Sequence, residues 1–550
     1  IDLNGKTVTG SGYDGVFQIA GEKAEAVIKN GKIVAVEQSG SAGKYAMAIW
    51  ACAADSKVTL EGLDVSQKIT HTDDKQMDMI YTSAGTIIIN SGTFESGTPK
   101  WTLNCKDSAY KAGTANIIVN GGTFVGYDPR NAENEGKGTS LVAEGVGVNS
   151  EDGSFTAVPN MIAQIIAADG SSVQAYSNMY DACMAAVSGQ TIVLLQDSDK
   201  NMDAIVCPAN TTLTIDLNGH NYYGNEWAGH FTAAIELNNP GANLTVKNGT
   251  VSSWHYEAIA VLAENCKLTL ENVDMLSNKS TSWDTGVYGI AANGIASGSK
   301  DSSAGLQLTL KNCTLTTNNT EPTIAIYFPV RDSAEQKAKL EIIDTKITGF
   351  HTGVQAISGT TEISGENTKI ETIGEPIQKT GGDGPIFDGS AISIIDRAGY
   401  GALESVQISD GTFTAKGTGS AAMKAYHFED NSESEFDNSD GIIAVSGGTY
   451  SDPVDPEHCA AGYAPKTNDD GTYGVRQATY VAAIGNAKYE SLAEAIKAAQ
   501  AGQTVALLTD IDTPDVTYVI EKSVTIDLNG KTVTGSGYDG VFQIAGEKAE

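Results

Sequence analysis

Apolar and polar residues alternate along this chain over runs of only three to five positions, and the runs come in pairs. Residues 1–3 precede Asn4-Gly5 and a second run at 6–9, and residues 27–29 precede Asn30-Gly31 and a second run at 33–36. The phrase returns at 58–60 before 63–65, at 86–90 before Gly92-Thr93-Phe94, and at 116–120 before Gly122-Thr123-Phe124. Counted on the second run, successive offsets are 26, 31, 29 and 30. Period-two alternation predicts strands, and Asn-Gly between two such runs predicts a turn. Strands this short are marginal on their own. The regular offset therefore predicts coils stacked on one another, with the inward Ile, Val, Leu and Phe forming a continuous column. Longer polar pieces, such as 38–44 and 97–113, are expected to loop outward.

A second series follows at 213–217 with Asn218-Gly219, 244–246 with Asn248-Gly249, 268–270 with Asn272, 308–310 with Asn312, and 340–342 with Asp344. Less regular members stand at 361–363, at 406–408 with Asp410-Gly411, and at 442–445 with Gly447-Gly448. Offsets between the regular members run from 24 to 40, so larger loops are expected here.

Two further phrases are duplicated. Gly122-Thr123-Phe124, Asp128-Pro129 and Asp152-Gly153-Ser154-Phe155 correspond to Gly448-Thr449-Tyr450, Asp455-Pro456 and Asp470-Gly471-Thr472-Tyr473, which reads as an end cap. Each is followed by a helix signal. Ser491 with Glu494 makes a capping-box pattern, Leu492, Ala495, Ile496 and Ala499 fall on one face, and Gly502 gives a stop. At an offset of 313, Asn178 takes the N-cap, Asp181 the acidic position, and Met179, Ala182, Cys183 and Ala186 the face, giving a helix near 178–188. Cys183 stands where Ile496 stands and is expected to act as a small buried hydrophobe.

Residues 526–550 repeat residues 1–25 identity for identity, a period of 525. The expected organisation is 1–158 as coils and end cap of unit A, 159–479 as unit B, and 480–550 as the helix and first coils of a unit A in the next tandem copy. On this reading neither end of the sequence is a natural terminus.

Composition agrees with an all-β protein: 60 glycines against 13 prolines, among many Thr, Val and Ile, favour short strands and tight turns. The opening helix-then-strand at 491–508, the TIDLNG phrase and the coil length resemble the pectin-lyase-like right-handed parallel β-helix. The whole chain is similar to repeat domains of giant surface proteins from anaerobic, gut-type bacteria, in which Y-x-x-L-x-E-A-I-x-x-A…G-x-T-V-x-L-L precedes each solenoid. Here that pattern is Tyr489, Leu492, Glu494, Ala495, Ile496, Ala499, Gly502, Thr504, Val505, Leu507 and Leu508. The resemblance implies right-handed parallel β-helix (solenoid) units in tandem, each entered through a short amphipathic capping helix, at an extracellular bacterial cell surface. It implies little about activity, because solenoids host lyases, esterases, adhesins and spacers alike.

With 68 acidic and 35 basic residues, the net charge of −33 repels phosphate backbones and disfavours a nucleic-acid partner. No run approaches the ~18 apolar residues of a membrane span. The seven cysteines have neither CxxC spacing nor an even count, so no zinc site or disulfide framework is expected. The strands lack the clustered carboxylates with Arg or Lys that a polysaccharide-cleaving β-helix carries, so no catalytic residue is assigned and no enzyme is expected. Trp227, Trp254 and Trp283, separated by 27 and 29 residues, match the coil length. Two readings stand open for them: packing beneath loops, or a glycan-binding strip of indole faces. The acidic stretch 427–440, with Glu429, Asp430, Glu433, Glu435, Asp437 and Asp440, offers oxygen ligands for Ca²⁺ but lacks the D-x-[DN]-x-[DN]-G order of a dedicated loop. It is read as a solvated excursion, as is His71-Thr72-Asp73-Asp74, and no other cofactor or metal is expected.

The leading expectation is a structural component of an extracellular bacterial filament or stalk, made of near-identical tandem 525-residue repeats whose partners are neighbouring repeats. The alternatives are an adhesin that binds host or microbial glycans through unit B, and a β-helix polysaccharide lyase or hydrolase. About 16 coils at ~4.8 Å give an expected rise of about 75 Å per repeat, or roughly 80–120 Å with caps and junctions.

Overall fold

The computed structural model describes the chain apart from residues 39–44, 71–76, 137, 200–201, 225–232, 254–256, 262, 279–286, 293–303, 320, 331–336, 378–384, 398–399, 430–431, 514, 536–537 and 547–550. With 51% strand and 6% helix, and with long, mostly parallel sheets, the protein is all-β. It divides into two compact units, Ile1–Ile235 with Asn243–Val251, and Glu236–Ala242 with Ser252–Glu550.

In the first unit Thr7–Ser11, Glu25–Val36, Ile49–Lys68, Gly92–Glu95 and Gly122–Val125 are successive parallel neighbours. Partners are separated by 25 residues (Thr7↔Lys32), then 32 (Gly31↔Leu63), 29 (Leu63↔Gly92) and 30 (Thr93↔Thr123). Parallel partners cannot be joined by a tight hairpin, so each must be reached by a crossover of this length. Alternate residues of these strands and of Ile80–Ile89 turn inward: Ile28, Ile33, Val58, Leu60, Leu63, Val65, Ile87, Ile89, Phe94 and Phe124 form one buried cluster. The Phe94 and Phe124 rings stack at 5.0 Å with an interplanar angle of 16°. Each fully buried side chain of this size contributes roughly 1.5–3 kcal/mol over leaving it in water.

The Asn-Gly pairs are of two kinds. Asn4-Gly5 and Asn218-Gly219 have φ of 49° and 73°, and of 52° and 82°, and close tight turns. At Asn30-Gly31 only Asn30 is left-handed (φ 58°), and the ladder runs on through it, with Lys29 opposite Glu61 and Gly31 opposite Leu63. Neither kind reverses the chain: Asp2 before Asn4-Gly5 and Thr7 after it both pair in parallel with Glu25–Val36, so the two-residue turn is a kink between segments of one direction, whereas Asn30 leaves the ladder continuous. Gly31 is needed for another reason: a Cβ there would lie 2.4 Å from the Leu3 Cβ of the adjoining strand, and one at Gly249 would lie 2.5 Å from that of Leu217.

A third column joins the two expected ones. Phe17–Ile19 pairs in parallel with the start of Ile49–Lys68, which pairs with the start of Ile80–Ile89, which pairs with Leu103–Cys105. Residues 97–113 are thus more than an outward loop: Leu103–Cys105 is wholly buried, and the short helix α1 (Asp107–Lys111) follows it. Antiparallel strands finish this sheet, Phe155 lying opposite Phe124, with a hairpin at Asp152-Gly153 (φ 47° and 75°). Next comes an antiparallel trio, Ala163–Ile166, Ser172–Tyr176 and Thr191–Leu194, with helix α2 (Met179–Ala185) set between the last two. Parallel pairing then resumes onto Thr212–Asp216 and Asn243–Ser253, with Leu213 opposite Leu244.

In the second unit the chain contributes two strands to one sheet and one to another, again and again. Gln307–Lys311 and Thr314–Thr317 lie in the first and Thr323–Phe328 in the second; Lys339–Ile343, Lys346–Phe350 and Thr352–Ala356 repeat the order. Leu308 faces Leu340, Leu340 faces Thr361, Thr361 faces Val406 and Val406 faces Ile443, all in parallel. The two sheets differ in burial. Lys339–Ile343 alternates, whereas every residue of Thr323–Phe328 and Thr352–Ala356 is buried. Strands covered on both faces read as continuous apolar runs, and Tyr288, Tyr327, Ile357, Phe387 and Ile395 form the corresponding cluster. Tyr450 then pairs antiparallel with Tyr473.

Residues 482–544 repeat the earlier sequence of events: an antiparallel set, helix α3 (Leu492–Ala498), and then parallel pairs. Thr504–Leu507 pairs with Thr525–Asp527, Ile511–Asp512 with Val533–Thr534, and Tyr518–Ile520 with Phe542–Ile544. Among the described residues no helix is long and apolar enough to cross a membrane.

Candidate functional site

The third column of the first unit builds a cleft. Parallel register sets Gln18 beside Trp50, Trp50 beside Tyr81 and Tyr81 beside Asn104. Ile49, Ala51 and Ile80, one position away, face the core, so the pleat turns Trp50 and Tyr81 toward the opposite side. The Trp50 indole Nε1–H donates to Ser83 Oγ at 3.0 Å, which fixes the ring. Tyr13 meets it edge to face, with centroids 5.9 Å apart and planes at 78°, and meets Tyr45 at 4.7 Å and 85°. Asn104 Nδ2 donates to Asp78 Oδ1 at 2.9 Å, so the carboxylate is held at the margin of the rings. Tyr13, Tyr45, Trp50, Met77, Asp78 and Tyr81 line a cleft of about 330 Å³, and among the described residues no Lys, Arg or His lines it. Burial, with the charge of Asp78 adding to it, pushes the Tyr81 phenol up to about 12, so it stays protonated as a donor.

None of these residues was singled out by sequence. A usable signal existed in the 31-residue separation of Trp50 and Tyr81, which is one of the coil offsets. The indoles that sequence did single out, Trp227, Trp254 and Trp283, lie outside the described residues, as does the stretch 71–74.

The helix residues are found as follows. Asn178 caps α2, its side chain accepting from Tyr180 N–H at 2.7 Å, with Met179, Ala182 and Cys183 buried. Ser491 caps α3 by accepting from Glu494 N–H, with Leu492, Ala495 and Ile496 buried. Burial pushes the Cys183 thiol up to about 12, and Cys52, Cys105, Cys183, Cys313 and Cys459 are free thiols.

In the second unit the acidic stretch folds as a hairpin edge: Met423–Glu429 runs antiparallel to Ser432–Ser434, with Phe428 opposite Glu433. Asp430 is outside the described residues. Glu433, Glu435, Asp455, Glu457 and His458 line a more open cleft of about 520 Å³. Among the described residues no group of His, Cys, Asp or Glu is arranged to hold a metal ion. Glu236 and Glu257 sit on neighbouring strands of one sheet, and burial above all raises both carboxyls to about 7, with Glu236 adding to the shift of Glu257. Asn238 Nδ2 donates to Glu236 Oε1 at 2.9 Å.

Comparison with protein-family models, with curated proteins and with solved structures finds no match to this chain.

Proposed function

We propose that this chain is part of an extracellular structural filament or stalk at a bacterial cell surface, built from tandem 525-residue repeats of right-handed parallel β-helix in the pectin-lyase-like manner. The observation that carries the reading is the pairing of the repeated segment. Residues 1–19 pair with 29–51, which follow them, and residues 525–544 pair with 504–520, which precede them. The two copies thus use opposite edges of one sequence. A coil inside a continuous stack uses both. Parallel partners separated by roughly one coil, with two strands in one sheet for each strand in the other, suit a helical winding, and parallel crossovers are right-handed in about 98% of cases. Near-identity of repeats suits spacing duty, where each added copy adds length.

Diffraction from oriented native material tests this. The expected result is a meridional spacing near ~4.8 Å together with a long spacing that recurs once per repeat. A globular particle, or a fibre without the strand spacing, overturns it.

A further inference from the structure

The aromatic cleft of the first unit has a chemistry that the structural role leaves unused. We propose that it binds a quaternary or alkylated ammonium group. Four rings, Tyr13, Tyr45, Trp50 and Tyr81, and the carboxylate of Asp78 face one volume of about 330 Å³, ample for a trimethylammonium head. Aromatic faces carry negative potential and attract cations that shed water cheaply, and a carboxylate beside them supplies the counter-charge. The rings meet at 85° and 78°, as walls of a box. A flat sugar ring is better served by one open platform, and the indole N–H that would serve as a handle for a hydroxyl is already given to Ser83. Among the described lining residues the charged side chain is Asp78, a carboxylate that disfavours an anionic head, and the net charge of −33 steers cations toward the protein.

The site belongs to a single unit and needs no second copy of the chain, so it is independent of the filament reading. Tyr13 is more than half exposed at 55%, and its removal leaves the core intact. Asp78 Oδ1 accepts from Asn104 Nδ2, a contact that an asparagine reproduces as acceptor.

The test is titration of the full chain with choline, read by calorimetry and by indole fluorescence, beside the neutral carbon isostere in which a tert-butyl group replaces the trimethylammonium. Saturable choline binding is expected, with the isostere, Tyr13→Leu and Asp78→Asn each roughly tenfold weaker, and with affinity falling as salt rises. Thermal melts of both variants are expected to stay cooperative and within about a few degrees of the parent, which separates loss of the site from loss of the fold. Equal binding of the isostere, binding of neutral hexoses in place of choline, or no saturable binding by the parent chain overturns the proposal.

Discussion

Residues 1–25 and 526–550 are one sequence in two settings. Their local conformations agree: φ is 49° at Asn4 and 46° at Asn529, and 73° at Gly5 and 71° at Gly530. Asp2 Oδ1 accepts from Asn4 N–H at 2.9 Å and Asp527 Oδ1 from Asn529 N–H at 2.8 Å. Burial does not agree. Leu3 is 9% exposed and Leu528 44%, and Ile19 is 8% exposed and Ile544 64%. The difference runs the other way at the first residue: Ile1 is 64% exposed, while Ile526 is partly buried beside Val505. Sequence therefore sets the shape of this coil, and whichever strand lies against it sets its energetic weight. The first copy is covered by the strand that follows and the second by the strand that precedes.

The largest effect is expected beneath the second copy. Ile496 on α3 belongs to the same apolar cluster as Ile526, so Ile496→Asp strands a charge in a buried site and is expected to destabilise that region by several kcal/mol. Lys497→Ala, at an exposed position of the same helix, should change stability by less than about 0.5 kcal/mol. Urea melts compare the two, and equal effects would remove α3 as the cover of this end.

The comparison itself is broken or sharpened by a matched pair. Leu3→Ala is expected to cost roughly 2–3 kcal/mol and Leu528→Ala under about 0.5 kcal/mol, because only the first opens a cavity. Appending residues 26–68 after Glu550 should raise the cost of Leu528→Ala to that of Leu3→Ala if the second copy accepts the same following strands. An unchanged cost would sever the two copies as equivalents.

A smaller effect concerns pH. Glu236 and Glu257 have folded-state values raised to about 7, so the folded protein holds protons that the unfolded chain releases near the ordinary glutamate value. Their contribution is fully present below about pH 4.5 and is lost as pH rises through about 7. The double variant Glu236→Gln with Glu257→Gln should therefore gain on the parent by about 1–2 kcal/mol between acid and mildly alkaline pH. Denaturant melts across that range check it, and parallel curves would refute the burial of these carboxyls.

The least effect is expected at the exposed rings. Tyr538, the counterpart of Tyr13, is fully exposed, whereas Tyr13 packs edge-on against Tyr45 and Trp50. Tyr13→Ala should cost about 0.5–1 kcal/mol and Tyr538→Ala nothing measurable by thermal melting.

What the sequence by itself determined is local and periodic. The alternation of 58–65, 308–310 and 340–342 and the Asn positions that take left-handed φ gave the strands and, from their offsets, the partners later found at Leu63↔Gly92 and Leu308↔Leu340, while the first two steps pair at 25 and 32 residues (Thr7↔Lys32, Gly31↔Leu63) instead of the expected 26 and 31. The helices at Asn178 and Ser491 were legible because caps and an apolar face are written within one or two turns of chain. The three-residue strands Phe17–Ile19 and Leu103–Cys105 were not, since three positions are too few to show a period against the loops around them. The cleft went with them. Tyr13, Trp50, Asp78 and Tyr81 come from different strands and loops, and only the parallel register of the third column brings an indole, phenols and a carboxylate to one place. Gly31 makes the same point: beside Asn30 it reads as a turn glycine, but it is the approach of Leu3 from the neighbouring strand that leaves no room for a side chain. Side-chain chemistry and backbone preference act within a few residues, whereas which distant surfaces meet is settled by the packing of one strand upon the next.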